Sequence, residues 1–305
     1  MASSKDLPPL DVPFFPNVFI KNQWRTKPQR PPKNTDFSGK VAIITGANAG
    51  LGYEAGKQML DLNLSRLIIA VRSSAKGEAA ATKLRAKYPK ATIEAMLLDI
   101  CQYSSIQDFI SRVEGQLTRL DIVILNAGIF KFNYTTVPST GHEEILQVNY
   151  LSTVFLAILL LPILKRKSPP DSPGRLTMVN AALSLTVSMP TLDGHKSLLA
   201  ALDDPKNLVG GRQYNISKVL ARMFAYKLIE YVSADDVIVN LVCPGFVKGT
   251  DLGGDSNILL KPLAILFGAM FARNVTDGAS TYLDAALVKG KESHGSFLMS
   301  WKITP

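Results

Sequence analysis

A tyrosine and a lysine stand four residues apart in the segment YNISK, as Tyr214 and Lys218. On a helix this spacing places both side chains on one face, one turn apart. A phenol has an ordinary pKa of about 10, and a neighbouring ammonium lowers it. The pair therefore predicts a general acid, Tyr214, whose proton Lys218 tunes. In isolation such a pair is more typical of an ordinary helix surface, so the prediction depends on a cofactor site nearby.

A glycine-rich turn, TGANAGLG (45–52), joins the first apolar run to a helical pattern. Gly46, Gly50 and Gly52 permit a tight turn and let a pyrophosphate approach the helix N-terminus. No Gly-Lys-Ser/Thr follows, which excludes a P-loop. The segment thus predicts a dinucleotide-binding turn.

The second apolar run, 66–71, ends at Arg72, and Lys76 follows closely. Folds that bind NAD place a carboxylate here, roughly 20 residues after the glycines, to hold the ribose hydroxyls. This chain has none, and a guanidinium suits a 2′-phosphate. We therefore expect NADPH/NADP+ rather than NAD, although Arg72 could instead cover the edge of the sheet.

Apolar runs and helical patterns alternate along most of the chain, which predicts strands buried on both faces of a parallel sheet. We expect strands at 40–46, 66–71, 92–99, 120–128, 175–180 and 237–245. With right-handed crossovers, these form an α/β, Rossmann-type doubly wound sheet whose ligand lies at the carboxyl ends of the strands. We expect one domain over residues 38–305, preceded by a Pro-rich basic extension, residues 1–37.

Composition narrows the function further. Of the 305 residues, 47% are hydrophobic and 19% charged, which indicates a globular protein. Two cysteines and three scattered histidines predict no metal site and a reducing, cytoplasmic location. The longest apolar run, 151–164, is shorter than the roughly 20 residues of a membrane-spanning helix, so no transmembrane segment is expected.

The net charge of +9 is partly local, because residues 21–33 contain five basic side chains. This basic arm either contacts phosphates or wraps the domain as a solvated extension. No aromatic-interleaved groove or known motif accompanies it, so nucleic-acid binding is not expected.

In order and spacing, these motifs resemble the short-chain dehydrogenase/reductase family over residues 38–300, and in particular its retinol-dehydrogenase-like and fungal secondary-metabolite members. The resemblance implies that Tyr214 and Lys218 are catalytic, and that Asn149, in LQVNYLS, orders a relay water. It also implies cofactor contacts from Gly46, Asn48, Gly50, Leu51, Gly52, Arg72, Lys76, Asp99, Asn126, Ala127, Gly128, Tyr214, Lys218, Pro244, Gly245, Val247 and Thr250.

One position departs from the family pattern. Members place a serine after the strand at 175–180, where its hydroxyl donates to the substrate carbonyl, and this chain has Ala181 there, preceded by Asn180. Losing one such donor typically costs about 10²–10³ in turnover. Three explanations stay open: an engineered substitution, a hydroxyl supplied by Ser184 instead, or a protein that naturally lacks the donor.

Two segments would form the substrate side. The insertion at 187–212 resembles a longer loop of retinol-dehydrogenase-like members and would form one wall of the pocket. The segment 256–273 has apolar residues at roughly helical spacing and stands where the family has its substrate lid. It predicts a core helix, an apolar C-terminal lid, or shallow membrane contact, the last disfavoured because the segment lacks a basic face.

The function expected from this resemblance is NADPH-dependent reduction of a ketone or aldehyde on a hydrophobic small molecule. The opening TDFSGKVAIITGAN is most similar to fungal members that tailor secondary metabolites. The alternative is a non-redox cyclase or an NADP(H)-binding sensor of the same fold. Residues 151–164 resemble the family's dimer helix, which implies a homodimer, or else they are internal core.

Overall fold

The computed structural model describes residues 4–8, 10–187, 189, 192, 194–207, 211–249 and 270–305. These residues contain one sheet of eight strands. The strands are β1 Val41–Thr45, β2 Arg66–Val71, β3 Thr92–Leu97, β4 Ile122–Leu125, β5 Gly174–Val179, β6 Val237–Cys243, β7 Phe297–Met299 and β8 Lys302–Thr304. Their order is β3-β2-β1-β4-β5-β6-β7-β8, and all neighbours pair in parallel except β7 and β8. The doubly wound α/β sheet is therefore confirmed.

Helices cover both faces of this sheet. They are α1 Gly50–Asp61, α2 Ser74–Lys87, α3 Tyr103–Gln116, α4 Glu144–Leu146, α5 Thr153–Lys167, α6 Leu198–Leu202, α7 Arg212–Leu228 and α8 Val275–Leu283. Side chains of α3, α5 and α7 pack on one face with Ile43, and those of α1, α2 and α8 pack on the other with Ile44. Adjacent strand residues thus enter opposite cores, which explains why the strands are continuous apolar runs.

The apolar run at 151–164 lies in a continuous helical stretch, Glu144–Lys167, that includes a π-helical turn at Gln147–Ser152. Its length and composition would allow it to cross a membrane, but most of it is buried inside the protein. Leu156, Leu160 and Leu164 have almost no exposed surface and belong to the core beside β4 and β5. The expectation of a buried helix is met, and the homodimer stays a prediction.

The sequence analysis missed the last two strands. β7 and β8 are three residues each, and the residues between them, Ser300 and Trp301, both have positive φ. Strands this short carry no periodic pattern. They are defined by pairing with β6, whose Leu241 faces Phe297 in the register.

Candidate active site

The glycine-rich turn after β1 is sterically fixed. Gly46 and Gly50 have φ of +67° and +58°, which favours glycine. A Cβ on Gly52 would lie 2.6 Å from Asn126 Nδ2 and 3.0 Å from the carbonyl oxygen of Gly46. The turn and the end of β4 therefore approach each other too closely for a side chain.

Asn126 joins the ends of β1 and β4. Its Nδ2 donates to the carbonyl oxygen of Thr45 at 2.8 Å, and the backbone N–H groups of Asn126 and Ala127 both donate to Thr45 Oγ1 at 2.9 Å. Tyr282, on α8, donates its hydroxyl to Asn126 Oδ1 at 2.9 Å. Sequence reasoning missed Tyr282, because nothing near it in the sequence indicates a contact 156 residues away.

The donors around the turn fit a dinucleotide phosphate. The residue preceding α1, Ala49, offers no side-chain cap, so the first N–H groups of this helix are left for an anion. By contrast, Ser73 caps α2 by accepting from the N–H of Lys76. Arg72 and Lys76 are exposed at this second helix start, and residues 72–76 contain no carboxylate. The N–H groups at the start of α1 therefore suit a pyrophosphate, and the side chains of Arg72 and Lys76 at the start of α2 suit a 2′-phosphate.

Further expected cofactor contacts lie around the same edge of the sheet. Asp99 follows β3, where its Oδ1 accepts from the N–H of Cys101 at 3.1 Å. Leu51 and Val247 both pack against Gly278 of α8, whose Cβ would meet their side chains at 2.8 and 2.7 Å. Asn48 is half-buried within the glycine-rich turn. Thr250 lies outside the described residues.

Tyr214 and Lys218 are both buried on α7. Lys218 Nζ lies 5.6 Å from the centre of the Tyr214 ring and donates to the carbonyl oxygen of Val179 at 2.9 Å. Burial lowers the pKa of Lys218 to about 8, against a smaller opposing effect of the Cys243 thiol. Burial, followed by that thiol, raises the pKa of Tyr214 well above its ordinary value.

The expectation of a lowered tyrosine pKa was therefore wrong, because burial, followed by the Cys243 thiol, raises the pKa of Tyr214. Tyr214 holds its proton at neutral pH. A group in that state can donate a proton, and it is not poised to accept one.

Asn149 lies in the π-helical turn before α5 and ties the end of β4 to α7. Its Oδ1 accepts from the N–H of Ile129 at 2.8 Å, and its Nδ2 donates to the carbonyl oxygen of Ile129 at 2.8 Å and to Ser217 Oγ at 3.3 Å. Ser217 in turn donates to the carbonyl oxygen of Tyr214 at 2.7 Å. A Cβ on Gly128 would lie 3.1 Å from Asn149 Oδ1. These contacts position the site, and a proton relay through Asn149 stays a prediction.

Asn180 holds Ala181 in place at the end of β5. Its Nδ2 donates to the carbonyl oxygen of Lys218 at 2.9 Å, and its Oδ1 accepts from the N–H of Ala181 at 2.7 Å. Both ends of the buried amide are thus used within the protein. Asn180 does not replace the missing serine hydroxyl by this geometry, and the methyl group of Ala181 offers no donor.

Ser184 is buried and accepts from Arg222 at 3.4 Å. Arg222 lies eight residues after Tyr214 on α7, which is about 12 Å along the helix axis. The described contact of the Ser184 hydroxyl is thus with a residue two turns along α7 from Tyr214. Ser184 as a substitute donor stays a prediction.

The Pro244–Gly245 turn follows the end of β6. Gly245 has a φ of +85°, and the buried Cys243 Sγ accepts from the N–H groups of Ala182 at 3.2 Å and Gly245 at 3.4 Å. Buried Pro244 accepts from Arg273 at 3.1 Å. Sequence reasoning treated Cys243 only as an unpaired thiol.

An aromatic wall flanks Tyr214 and was not predicted. Phe130 meets the Tyr214 ring edge-on, with centroids 5.2 Å apart, and Phe132 meets Phe130 at 5.0 Å. Both follow closely on the Asn126-Ala127-Gly128 motif, which could have identified them. This wall gives the site an apolar side.

The insertion is fastened by Asp203, which follows α6. Its carboxylate pairs with His142 Nδ1 at 2.7 Å and accepts from the N–H of Glu143 at 2.9 Å, and its carbonyl oxygen accepts from the hydroxyl of Tyr134 at 2.6 Å. Gln213, beside Tyr214, donates to the carbonyl oxygen of Leu202 at 2.8 Å. The described part of the insertion therefore adjoins the tyrosine. Most of the lid segment 256–273 lies outside the described residues.

A side chain of the N-terminal extension holds the two chain segments that flank the lid. Gln23 Nε2 donates to the carbonyl oxygens of Phe246 at 2.8 Å and Phe271 at 2.9 Å, and its Oε1 accepts from the N–H of Phe246 at 3.1 Å. The extension thereby contributes to the substrate side of the molecule.

The family model described as short chain dehydrogenase matches residues 40–181. A short chain dehydrogenase/reductase of Annulohypoxylon moriforme, mfmJ, is 58% identical over 305 residues, which is all of this chain and 88% of the relative. A short chain dehydrogenase of Hypocrea virens, virL, is 44% identical over 287 residues, covering 92% of this chain and 83% of the relative.

Solved structures share the fold at low identity. An NADPH-dependent 3-quinuclidinone reductase from Rhodotorula rubra superposes with a TM-score of 0.64 at 20% identity, covering 90% of this chain and 96% of that one. A gluconate 5-dehydrogenase from Burkholderia cenocepacia, in complex with NADP and tartrate, gives 0.64 at 18% identity over 87% and 94%.

Proposed function

Because the chain belongs to the short-chain dehydrogenase/reductase family, we propose that it is an NADPH-dependent reductase that acts on a ketone or aldehyde of a hydrophobic substrate. The observation that carries this proposal is the buried pair Tyr214 and Lys218 on α7, beside the ends of β5 and β6. That is the edge at which a doubly wound sheet binds its ligand.

Each side chain has a distinct task in a reduction. NADPH, when bound, supplies a hydride to the carbonyl carbon. Tyr214 holds its proton because burial raises its pKa, so it can donate that proton to the carbonyl oxygen as negative charge develops there. Lys218, charged below about pH 8, stabilises the phenolate that remains.

Arg72 and Lys76 supply the preference for NADPH over NADH. Neither side chain forms an ion pair with any residue in the described ranges, so both are available for a 2′-phosphate. A planar guanidinium can bind two phosphate oxygens at once. This assignment agrees with the absence of a carboxylate from residues 72–76.

The aromatic wall of Phe130 and Phe132 supports a bulky apolar substrate. Relatives such as mfmJ come from fungi, and the sequence resembles members that tailor secondary metabolites. We therefore propose a polyketide-like or related ketone as substrate, acted on in the cytoplasm, with the substrate identified by analogy.

Ala181 favours a second candidate, in which the protein binds NADP(H) but catalyses a non-redox cyclisation or acts as a sensor. Without the hydroxyl donor, a developing oxyanion is less stabilised, and the rate of carbonyl reduction falls by about 10²–10³.

The test is NADPH oxidation with a panel of hydrophobic ketones, with product quantified beside it. We expect one NADPH consumed per carbonyl reduced, and a loss of about 10²–10⁴ in turnover in Tyr214→Phe with NADPH affinity unchanged. Tyr231→Phe removes the same hydroxyl from a highly exposed side chain and serves as the control. Conversion without NADPH consumption would instead identify a cyclase, and tight NADPH binding with no conversion a sensor.

A further inference from the structure

Aromatic side chains of the N-terminal extension meet the substrate side of the molecule. Trp24 stacks on Phe271 with ring centroids 4.7 Å apart and planes 3° from parallel, and its indole N–H donates to the carbonyl oxygen of Met270 at 2.8 Å. Phe19 lies 6.5 Å from Phe246 and 5.8 Å from Phe271. The extension is thus packed on the chain that follows the Pro-Gly turn.

Four apolar side chains of this region nevertheless face solvent, and together they are called the apolar patch. Phe15 is 60% exposed, Trp24 55%, Met270 54% and Phe246 41%. The patch is continuous, because Phe19 lies 5.7 Å from Phe15 and also contacts Phe246. Large side chains exposed as a group mark an interaction surface.

The basic arm adjoins the apolar patch. Lys21, Arg25, Lys27 and Lys33 are exposed, and none of them forms an ion pair with any residue that the structure describes. Among the described residues, Arg30 of this arm forms an ion pair with Asp277 at 2.5 Å. Residues 21–33 contain five basic and no acidic side chains, so the arm itself is strongly positive.

We propose that the apolar patch and the basic arm together bind the surface of an anionic lipid bilayer. Phe and Trp side chains enter the boundary between headgroups and acyl chains, and unpaired lysine and arginine side chains attract anionic headgroups. The sequence alone disfavoured membrane contact because segment 256–273 lacks a basic face, and the fold supplies that face from a segment more than 200 residues earlier. The charge of the arm selects an anionic surface over a second copy of this basic protein.

This placement has a functional consequence. Phe246 follows Gly245, whose N–H donates to Cys243 Sγ at 3.4 Å, and the same sulfur accepts at 3.2 Å from the N–H of Ala182, the residue after Ala181 at the end of β5. The bound face is therefore adjacent to the site. A hydrophobic substrate dissolved in a bilayer would reach the tyrosine without crossing water, a consequence that rests on the proposed function, whereas lipid binding does not.

The two tryptophans allow a direct test on the unmodified protein. Trp24 is 55% exposed and Trp301 is 2% exposed, so a change in tryptophan emission on adding vesicles reports Trp24. Vesicles of phosphatidylcholine alone are compared with vesicles containing phosphatidylserine. We expect a blue shift, quenching by brominated acyl chains and co-sedimentation with the anionic vesicles only, all weakened by salt.

Charge variants supply the matched control. Lys21→Glu with Arg25→Glu is compared with Lys83→Glu plus Lys90→Glu, which makes the same change in net charge at exposed sites by β3, at the other edge of the sheet. We expect the first pair to weaken co-sedimentation by about tenfold or more and the second to leave it nearly unchanged.

The proposal is overturned if anionic vesicles bind no better than neutral ones, or if both charge pairs weaken binding equally. A patch that serves as an interface between copies of this chain would show concentration-dependent mass in light scattering and no vesicle binding, and that also overturns it. NADPH oxidation measured without vesicles tests the proposed function separately, so failure of one proposal is distinguishable from failure of the other.

Discussion

The nucleotide side and the substrate side of this molecule are built differently. At the nucleotide side, short hydrogen bonds between a side chain and a backbone group join the neighbouring ends of β1 and β4 at Thr45 and Asn126, and the turn is so tight that a Cβ on Gly52 would clash. At the substrate side, single side chains connect remote segments, as Gln23 does across 223 residues to Phe246 and Asp203 does across 61 residues to His142.

This difference explains why the nucleotide side can be recognised from the sequence and the substrate side cannot. A tight turn with positive φ angles accepts few residue types besides glycine, so the nucleotide turn has a recognisable sequence motif. The hydrogen bonds of Gln23 and Asp203 join segments that are far apart in the chain, so no short sequence pattern marks them. Substitutions should therefore have larger effects on the first side than on the second.

Of the effects that test this difference between the two sides, the largest is expected for Gly52→Ala. Its Cβ would lie 2.6 Å from Asn126 Nδ2, and relieving such overpacking costs about 1–3 kcal/mol. We expect NADPH affinity to fall by about 10–100-fold, measured by fluorescence titration. Gly115→Ala on α3 meets nothing within 4 Å and should leave affinity unchanged. Equal affinities of the two variants would show that the turn is not sterically fixed.

An intermediate effect is expected from pH. Lys218 has a pKa of about 8 in the free protein because it is buried. Its ammonium is present below that pH and is lost above it, so kcat/KM for NADPH should be level below about pH 8 and fall about tenfold per pH unit above.

The control for this profile is Lys218→Met, which cannot ionise. Its kcat/KM should be lower throughout and should show no inflection near pH 8. An unchanged inflection in the variant would assign the ionisation to another group.

The smallest effect is expected at the substrate side, for Gln23→Ala. Three hydrogen bonds to the backbone of Phe246 and Phe271 are lost, which should lower the free energy of unfolding by about 1–3 kcal/mol. KM for the ketone should rise a few-fold, and NADPH affinity should stay the same. Gln29→Ala, on an exposed residue of the same extension, should be neutral in chemical denaturation. A loss of NADPH affinity in Gln23→Ala would remove the distinction between the two sides.

The sequence was sufficient for six strands, because β1, β2, β4, β5 and β6 are mostly buried on both faces and appear as apolar runs, and the edge strand β3, although only partly buried, is also rich in apolar residues. It was insufficient for β7 and β8, which are too short to carry a pattern. At the site, spacing placed Tyr214 and Lys218 on one helix face but gave the wrong direction for the tyrosine pKa, since burial cannot be deduced from spacing. Phe130 and Asp203 were missed because their importance arises from tertiary contacts alone.

The central claim is that this site reduces a carbonyl by proton donation from Tyr214 while lacking the second donor at position 181. The most direct measurement compares kcat/KM for a hydrophobic ketone, at saturating NADPH, between the chain with Ala181 and Ala181→Ser. Ala182→Ser makes the same chemical change one residue later, where the backbone N–H binds Cys243 Sγ.

We predict a gain of about 10²–10³ for Ala181→Ser and none for Ala182→Ser. Equal values for the chain with Ala181 and for Ala181→Ser would contradict the account. They would mean that another group already polarises the carbonyl, or that no hydride reaches it.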